Sequence, residues 1–238
     1  MLDKNTFSLS ARKTCLANDI PLNVIPGISK NNSSFMHMLS KKALDIATPY
    51  LQEEKLILEQ LMENNPKTRD MNFCVIGAGP LFYFSTGIRY ANNYIAVEPH
   101  INQFVNSSYV ETLMLDSKVT VFPQYFEEFC KKAAKKESSA QNTLYVFWFN
   151  VINYIESPIR FLNKILKKGD IVFISGWSDS SYAKKNIEKY FECINEFKSE
   201  YNLPTLPSLQ GINVTDLNYF YENQVFLGKT TEIWIVST

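Results

Sequence analysis

From residue 72 to residue 238, short apolar runs alternate with longer amphipathic segments, and this alternation constrains the fold more than any other feature of the sequence. Five runs have the composition of buried strands: residues 72–76, 94–97, 119–122, 144–149 and 171–175. The segments with helical composition are residues 81–90, 102–115, 125–136, 157–166 and 182–201. Two β-rich runs, residues 223–227 and 232–236, end the chain as a hairpin. The pattern predicts an α/β fold, a three-layer sandwich around a mostly parallel seven-stranded sheet with a C-terminal antiparallel hairpin.

The first 70 residues have a different pattern. Apolar residues recur at steps of three and four between residues 35 and 64, which predicts helix, and Pro49 predicts a break between two helices. We expect residues 1–70 to form a helical N-terminal extension that packs on a domain of residues 71–238. A lid over the site of that domain is the alternative role.

Charge and residue usage narrow the function classes. The 24 Lys and Arg residues equal the 24 Asp and Glu residues in number, which argues against general nucleic-acid binding. Two histidines and four widely separated cysteines favour neither a metal site nor a disulfide framework. No apolar stretch approaches the roughly 20 residues of a membrane span, and the N-terminus lacks a signal-peptide pattern. We expect a cytoplasmic protein without metal, membrane or nucleic-acid partners, and the oligomeric state stays open.

The first predicted strand ends in two closely spaced glycines, Gly77 and Gly79, and the second ends in Glu98. In doubly wound sheets ligands bind at the carboxyl ends of strands, where glycines allow close approach of the backbone. A carboxylate there can accept charge-assisted hydrogen bonds from the two hydroxyls of a ribose. The spacing therefore predicts a nucleotide-type site, against the alternatives of a tight turn and a solvated surface charge.

The dinucleotide fingerprint needs a third small residue three positions after the second glycine, where this chain has Phe82. This departure argues against NAD and FAD. A nucleotide-dependent oxidoreductase is retained as an alternative.

In these motifs and their order, residues 70–238 resemble the class I S-adenosylmethionine-dependent methyltransferases. VIGAGP resembles the family's first motif, and AVEPH resembles the strand that ends in the ribose-binding acid. The block TLYVFWFNVINYIESPIRFLNKILKKGDIVFISGW is similar to the fourth strand, its helix and the turn into strand five, and VFLGKTTEIWIVST to the terminal hairpin. The resemblance implies a Rossmann-like domain, S-adenosylmethionine as cofactor, and direct in-line methyl transfer to a small amine or amino-acid-like acceptor.

The resemblance also implies which residues bind. Its cofactor contacts follow the first four strands: Gly77, Ala78, Gly79, Pro80, Glu98, Pro99, Gln124, Tyr125, Phe149 and Asn150. Gln124 stands where the family has an acid, and its carbonyl could accept from the adenine amine. Asn150 could bind the cofactor's amine through its carbonyl or cap the following helix. Tyr154, Trp177 and Tyr182 are candidates for the substrate pocket, although Trp177 also suits the core.

One position departs from the family. Val75 stands two residues before the first glycine, where the family often has an acid that holds the methionine end of the cofactor. VIGAGPL also resembles a string in nicotianamine synthase-like enzymes, which transfer the aminocarboxypropyl group and share a helical N-terminal extension. A binding protein without turnover is the remaining alternative. The sequence assigns no general base.

Overall fold

The computed structural model describes residues 41–79, 83–99, 101, 115–134, 141–195, 209 and 212–238. The strands in these ranges are β1 (Asn72–Ile76), β2 (Asn93–Val97), β3 (Val119–Phe122), β4 (Thr143–Phe147), β5 (Ile171–Trp177), β6 (Glu222–Leu227) and β7 (Thr231–Ser237). The helices are α1 (Lys41–Asn64), α2 (Phe84–Tyr90), α3 (Phe126–Ala133), α4 (Pro158–Leu162) and α5 (Ser181–Asn195). Short 3₁₀ turns cover Pro66–Asp70, Val151–Tyr154 and Val214–Asp216.

The seven strands form one sheet in the order β3-β2-β1-β4-β5-β7-β6. β3, β2, β1, β4 and β5 pair in parallel, and β7 runs antiparallel to both β5 and β6. Every residue of β1, β4 and β5 is buried because helices cover both faces of the sheet. The predicted fold class is confirmed.

Helix α1 is continuous through Pro49, so the predicted break there is wrong. Proline removes one backbone hydrogen bond from a helix, which costs about 3 kcal/mol. The flanking residues Ala47, Tyr50 and Leu51 are buried in the core, and their packing favours the uninterrupted helix. The part of the predicted segment before Lys41 lies outside the described residues.

Each face of the sheet carries its own apolar cluster. On one face α1, α2 and α5 share an apolar cluster with the sheet, in which α1 contacts α5, β5 and β7 and α2 contacts β2. Tyr50, Leu58 and Phe73 belong to this cluster. On the other face α3 and α4 pack through Phe126 and Leu162. None of the helices in the described ranges has the length and apolar character needed to cross a membrane.

Several predictions fall outside the described residues: Pro80, Phe82, residues 102–114 of one predicted helix, and the end of the predicted helix 182–201. Trp177, expected just past the fifth strand, is the last residue of β5.

Candidate functional site

The turn after β1 needs both of its glycines. Gly77 has φ +69° and Gly79 has φ +53°, in the left-handed region that side chains disfavour. A Cβ at Gly77 would also lie 3.0 Å from a methyl group of Val151. The Gly77 N–H donates to the carbonyl of Val97 (2.8 Å), and the indole N–H of Trp148 donates to the carbonyl of Gly77 (2.6 Å). The turn is thereby joined to the ends of β2 and β4.

Glu98 directly follows β2 and is 4 % exposed. Its Oε2 accepts a hydrogen bond from the Gly79 N–H at 2.8 Å, so the carboxylate lies beside the glycine turn. The alternative interpretation of Glu98 as a solvated surface charge does not fit this burial. Pro99, the next residue, is half-buried, and Ala78 in the turn is buried.

The segment after β3 lies next to Glu98. The carbonyl of Phe122 accepts hydrogen bonds from the N–H groups of both Glu98 (3.1 Å) and Gln124 (2.9 Å). Gln124 is buried, and its Oε1 accepts from Nζ of Lys132 at 2.5 Å. Its Nε2 is buried and has no hydrogen-bond partner among the described residues. Tyr125 is 57 % exposed at the same edge of the sheet.

After β4, two consecutive residues adopt left-handed backbone conformations: Phe149 (φ 42°) and Asn150 (φ 64°). Such conformations are unfavourable for side-chain-bearing residues and occur often at functional sites. The Asn150 N–H donates to the carbonyl of Ser175 at 3.1 Å. The Asn150 side chain makes no capping bond and instead accepts from Nδ2 of Asn153 at 2.5 Å.

The three candidates for the substrate pocket have different surroundings. Trp177 is 2 % exposed, and its ring lies 4.7 Å from the ring of Tyr50 and 5.9 Å from that of Phe149. Tyr154 is 43 % exposed. Tyr182 is partly exposed, with Nζ of Lys229 4.0 Å from its ring centre.

A carboxylate from α1, Glu54, also lies at this edge of the sheet, and the sequence analysis did not predict it. Glu54 is fully buried. Its Oε2 accepts from the N–H of Phe149 (2.9 Å) and from the hydroxyl of Ser175 (2.8 Å). Its Oε1 accepts from the hydroxyl of Tyr83 (2.8 Å), and the Tyr50 hydroxyl donates to Ser175 Oγ at 3.0 Å.

Burial raises the pKa of Glu54 to about 7, although its three hydrogen bonds act in the opposite direction. The three hydrogen-bond donors to Glu54 are neutral groups, and no cation of the described ranges contributes to its pKa. The pKa of Tyr50 is raised well above its usual value of 10, first by burial and then by the charge of Glu54. Within the described ranges, Glu54 is therefore a buried acid without a positive partner.

The sequence does contain a signal for Glu54. Tyr50, Glu54 and Leu58 follow one another at four-residue steps on the apolar face of α1, so Glu54 occupies a core-facing position. Val75 belongs to the same apolar cluster as Tyr50 and Leu58. The acid on α1 thus lies on the same side of the sheet as the position where β1 lacks one.

No protein-family model matches the chain, and no curated protein matches it. Solved structures do match. An O-methyltransferase family protein from Burkholderia thailandensis is 9 % identical, with 84 % of this chain and 59 % of that chain covered and a TM-score of 0.54. A protein from Methanococcus maripaludis, described as an S-adenosyl-L-methionine-dependent methyltransferase, is 15 % identical, with 89 % and 97 % covered and a TM-score of 0.50.

The chain therefore shares its fold with these two methyltransferase structures. The N-methyltransferase NodS from Bradyrhizobium japonicum WM9, solved with S-adenosyl-L-homocysteine, also matches, at 11 % identity, 85 % and 95 % coverage and a TM-score of 0.49. In this methyltransferase fold the carboxyl ends of β1 to β4 share one edge of the sheet. All predicted cofactor residues that the structure describes follow those strand ends, and Pro80 lies outside the described residues.

Proposed function

We propose that the protein is an S-adenosylmethionine-dependent methyltransferase that methylates a small amine or amino-acid-like acceptor by direct in-line transfer. The observation that carries this proposal is the burial of Glu98 beside the glycine turn, with its Oε2 on the Gly79 N–H. A carboxylate so placed can accept hydrogen bonds from both ribose hydroxyls of an adenosyl group.

Three features of the described residues suit this cofactor. The turn at Gly77 and Gly79 presents backbone without side chains. The buried Nε2 of Gln124 has no partner in the part of the chain that the structure describes, and it can donate to a ligand. Glu54 places a buried carboxylate near the ends of β4 and β5, and no cation among the described residues contributes to its raised pKa. When bound, S-adenosylmethionine supplies a methyl group on a positively charged sulfur.

Glu54 is the group best suited to act as the general base. A protonated amine has no free electron pair, so it must lose a proton before its nitrogen attacks the methyl carbon. A base with a pKa near the working pH is the most effective, and burial raises the pKa of Glu54 to about 7. Its Oε1 on the Tyr83 hydroxyl fixes the carboxylate. Glu54 would take up the proton that the acceptor nitrogen releases, and the bound cofactor would supply the methyl group, with its sulfur keeping the electron pair of the carbon–sulfur bond.

Binding tests the cofactor assignment. Isothermal titration with S-adenosylhomocysteine and S-adenosylmethionine should give micromolar or tighter dissociation constants. Glu98→Ala should weaken both by about 10- to 150-fold, as loss of a charged hydrogen bond does. Glu128→Ala, at an exposed position on α3, is the matched control and should bind like the wild type. Absence of binding to the wild type would exclude both transferase assignments.

Measurements of turnover test whether Glu54 is the general base. A metabolite screen with methyl-labelled cofactor identifies the acceptor, and kcat/KM for it should rise as the pH passes about 7. Glu54→Gln keeps the shape of the side chain and should lower kcat by about 10²- to 10⁴-fold. Glu59→Gln, on the same helix beside Thr86, should keep wild-type turnover and its pH profile. A Glu54→Gln variant with normal turnover would exclude Glu54 as the base.

Aminocarboxypropyl transfer by the same cofactor is the second candidate. Val75 favours it, because β1 has an apolar residue where the methyltransferase family often has the acid that holds the methionine end of the cofactor. The products separate the two reactions: methyl transfer releases S-adenosylhomocysteine, and aminocarboxypropyl transfer releases methylthioadenosine. A bound flavin in the absorbance spectrum would instead indicate the oxidoreductase. Cytoplasmic location stays a prediction.

A further inference from the structure

We propose that Gln124 binds the adenine ring as a hydrogen-bond donor, through Nε2, and that Lys132 is the positioning residue that holds the amide in this orientation. The inference rests on the proposed function, because it concerns the base of the adenosyl group. It reverses the sequence-based expectation that the carbonyl of Gln124 accepts from the adenine amine.

Gln124 lies beside Glu98, the residue of the predicted ribose site. Its backbone N–H and that of Glu98 both donate to the carbonyl of Phe122, at 2.9 Å and 3.1 Å. Gln124 and the acid are therefore direct neighbours across the ends of β3 and β2. A base attached to a ribose held by Glu98 lies within the surroundings of Gln124.

The orientation of the amide follows from Lys132. An ammonium group has only donors, so it can pair only with the oxygen of a glutamine amide. Nζ of Lys132 lies 2.5 Å from Oε1 of Gln124. The Nε2 group is therefore the part of the amide that remains for another partner, and it is buried without one.

A buried donor without an acceptor is unfavourable by about 1–3 kcal/mol, which a ligand acceptor would remove. The ring nitrogens of adenine are acceptors, whereas its exocyclic amine is a donor. Nε2 can therefore pair with a ring nitrogen and not with the amine hydrogens. An acid at this position, as in the family that the sequence resembles, would pair with the amine instead.

Analogues of S-adenosylhomocysteine test this inference by isothermal titration. Three of them replace one ring nitrogen by carbon (1-deaza, 3-deaza and 7-deaza), and a fourth lacks the 6-amino group. We expect one deaza analogue to bind the wild type about three- to tenfold more weakly than S-adenosylhomocysteine, the size of one hydrogen bond. In Gln124→Glu, which keeps the shape but has no donor, that difference should disappear.

Lys132→Met should reduce the affinity difference between S-adenosylhomocysteine and that deaza analogue. Without the ammonium group, the side-chain amide of Gln124 can rotate so that Oε1 and Nε2 exchange places. Lys131→Met, at the neighbouring exposed position of α3, is the matched control and should keep the affinity difference. If no deaza analogue loses affinity, or if only the 6-deamino analogue does so in a Gln124-dependent way, the inference is wrong. Failure of S-adenosylhomocysteine itself to bind the wild type would instead overturn the proposed function.

Discussion

At the scale of single residues, Glu54 changes how stability depends on pH. Its pKa is about 7 in the folded protein, against 4.5 for an unperturbed glutamate. Between these values the folded state holds a proton that the unfolded chain has released, so the free energy of unfolding falls as the pH rises. The raised pKa of Glu54 makes the free energy of unfolding about 3 kcal/mol larger below pH 4.5 than above pH 7, and this difference is lost as the pH passes through 7.

Urea denaturation at pH 5 and pH 8 measures this effect. We expect Glu54→Gln to lose less stability than the wild type over this interval, because glutamine does not titrate. Glu59→Gln, which changes a partly exposed carboxylate on the same helix, should follow the wild type. Equal pH dependence in all three proteins would contradict the assignment of a raised pKa to Glu54.

Gly87 lies in close contact with two buried aromatic rings. A Cβ there would lie 2.7 Å from a ring carbon of Phe73 and 2.8 Å from one of Tyr94, and both rings are fully buried. Alanine favours a helix over glycine by about 1 kcal/mol, but overpacking costs about 1–3 kcal/mol. We expect Gly87→Ala to lower the free energy of unfolding in urea titrations. Arg89→Ala, at an exposed position of the same helix, should change it little.

At the scale of elements, polar contacts hold α1 against the domain at two places. At α2, the hydroxyl of Tyr83, the residue before the helix, donates to Glu54, and that of Tyr90 donates to Glu63 at 2.5 Å. At the β6–β7 turn, the Glu53 carboxylate accepts from both the N–H and the hydroxyl of Thr230 and of Thr231. These contacts hold the helix that carries Glu54 at the ends of β4 and β5.

Glu53→Ala should therefore loosen the attachment of α1. The N–H and hydroxyl groups of two buried threonines lose their acceptor, and we expect a loss of about 1–3 kcal/mol in the free energy of unfolding. Glu53→Gln keeps one acceptor oxygen and should lose less. Hydrogen exchange at the amides of Thr230 and Thr231 should become faster in Glu53→Ala. Unchanged exchange at both amides would show that Glu53 is not their acceptor.

At the scale of the whole molecule, α1 shares one apolar cluster with the sheet. Tyr50, Leu58 and Met62 from the helix pack with Phe73 and Phe173 from the strands. Burial of side chains of this size contributes about 1.5–3 kcal/mol each, so the sheet and helix depend on each other for their core. This arrangement favours α1 as part of the folding unit over a lid that opens freely.

A single cooperative unfolding transition is the expected result. Far-ultraviolet circular dichroism and tryptophan fluorescence should give the same urea midpoint, because Trp148 and Trp177 lie in the cluster that α1 covers. Saturating S-adenosylhomocysteine should raise that midpoint in both signals, since a ligand that binds only the folded state stabilises it. Two separate transitions would instead support an independent extension of residues 1–70.

Local patterns predicted most of the architecture. The bounds of β1 and β3 agree with the apolar runs at residues 72–76 and 119–122, because buried parallel strands are continuously apolar and end in turns. The glycine turn and Glu98 could be found for the same reason, since both directly follow such runs. The break predicted at Pro49 was wrong because the local effect of proline is opposed by the packing of residues distant in sequence, which a local pattern does not contain.

The order of apolar and polar residues along the chain was sufficient for the sheet and for the strand ends that carry the proposed ligand site, because both follow from periodicities of two and 3.6 residues. The acid of α1 and the amide orientation of Gln124 became visible only in three dimensions. Glu54 meets Phe149 and Ser175 across 95 and 121 positions of sequence. Burial and hydrogen bonding between segments so far apart depend on how the layers pack, and it is this packing that raises the pKa of Glu54 and brings it to the ends of β4 and β5.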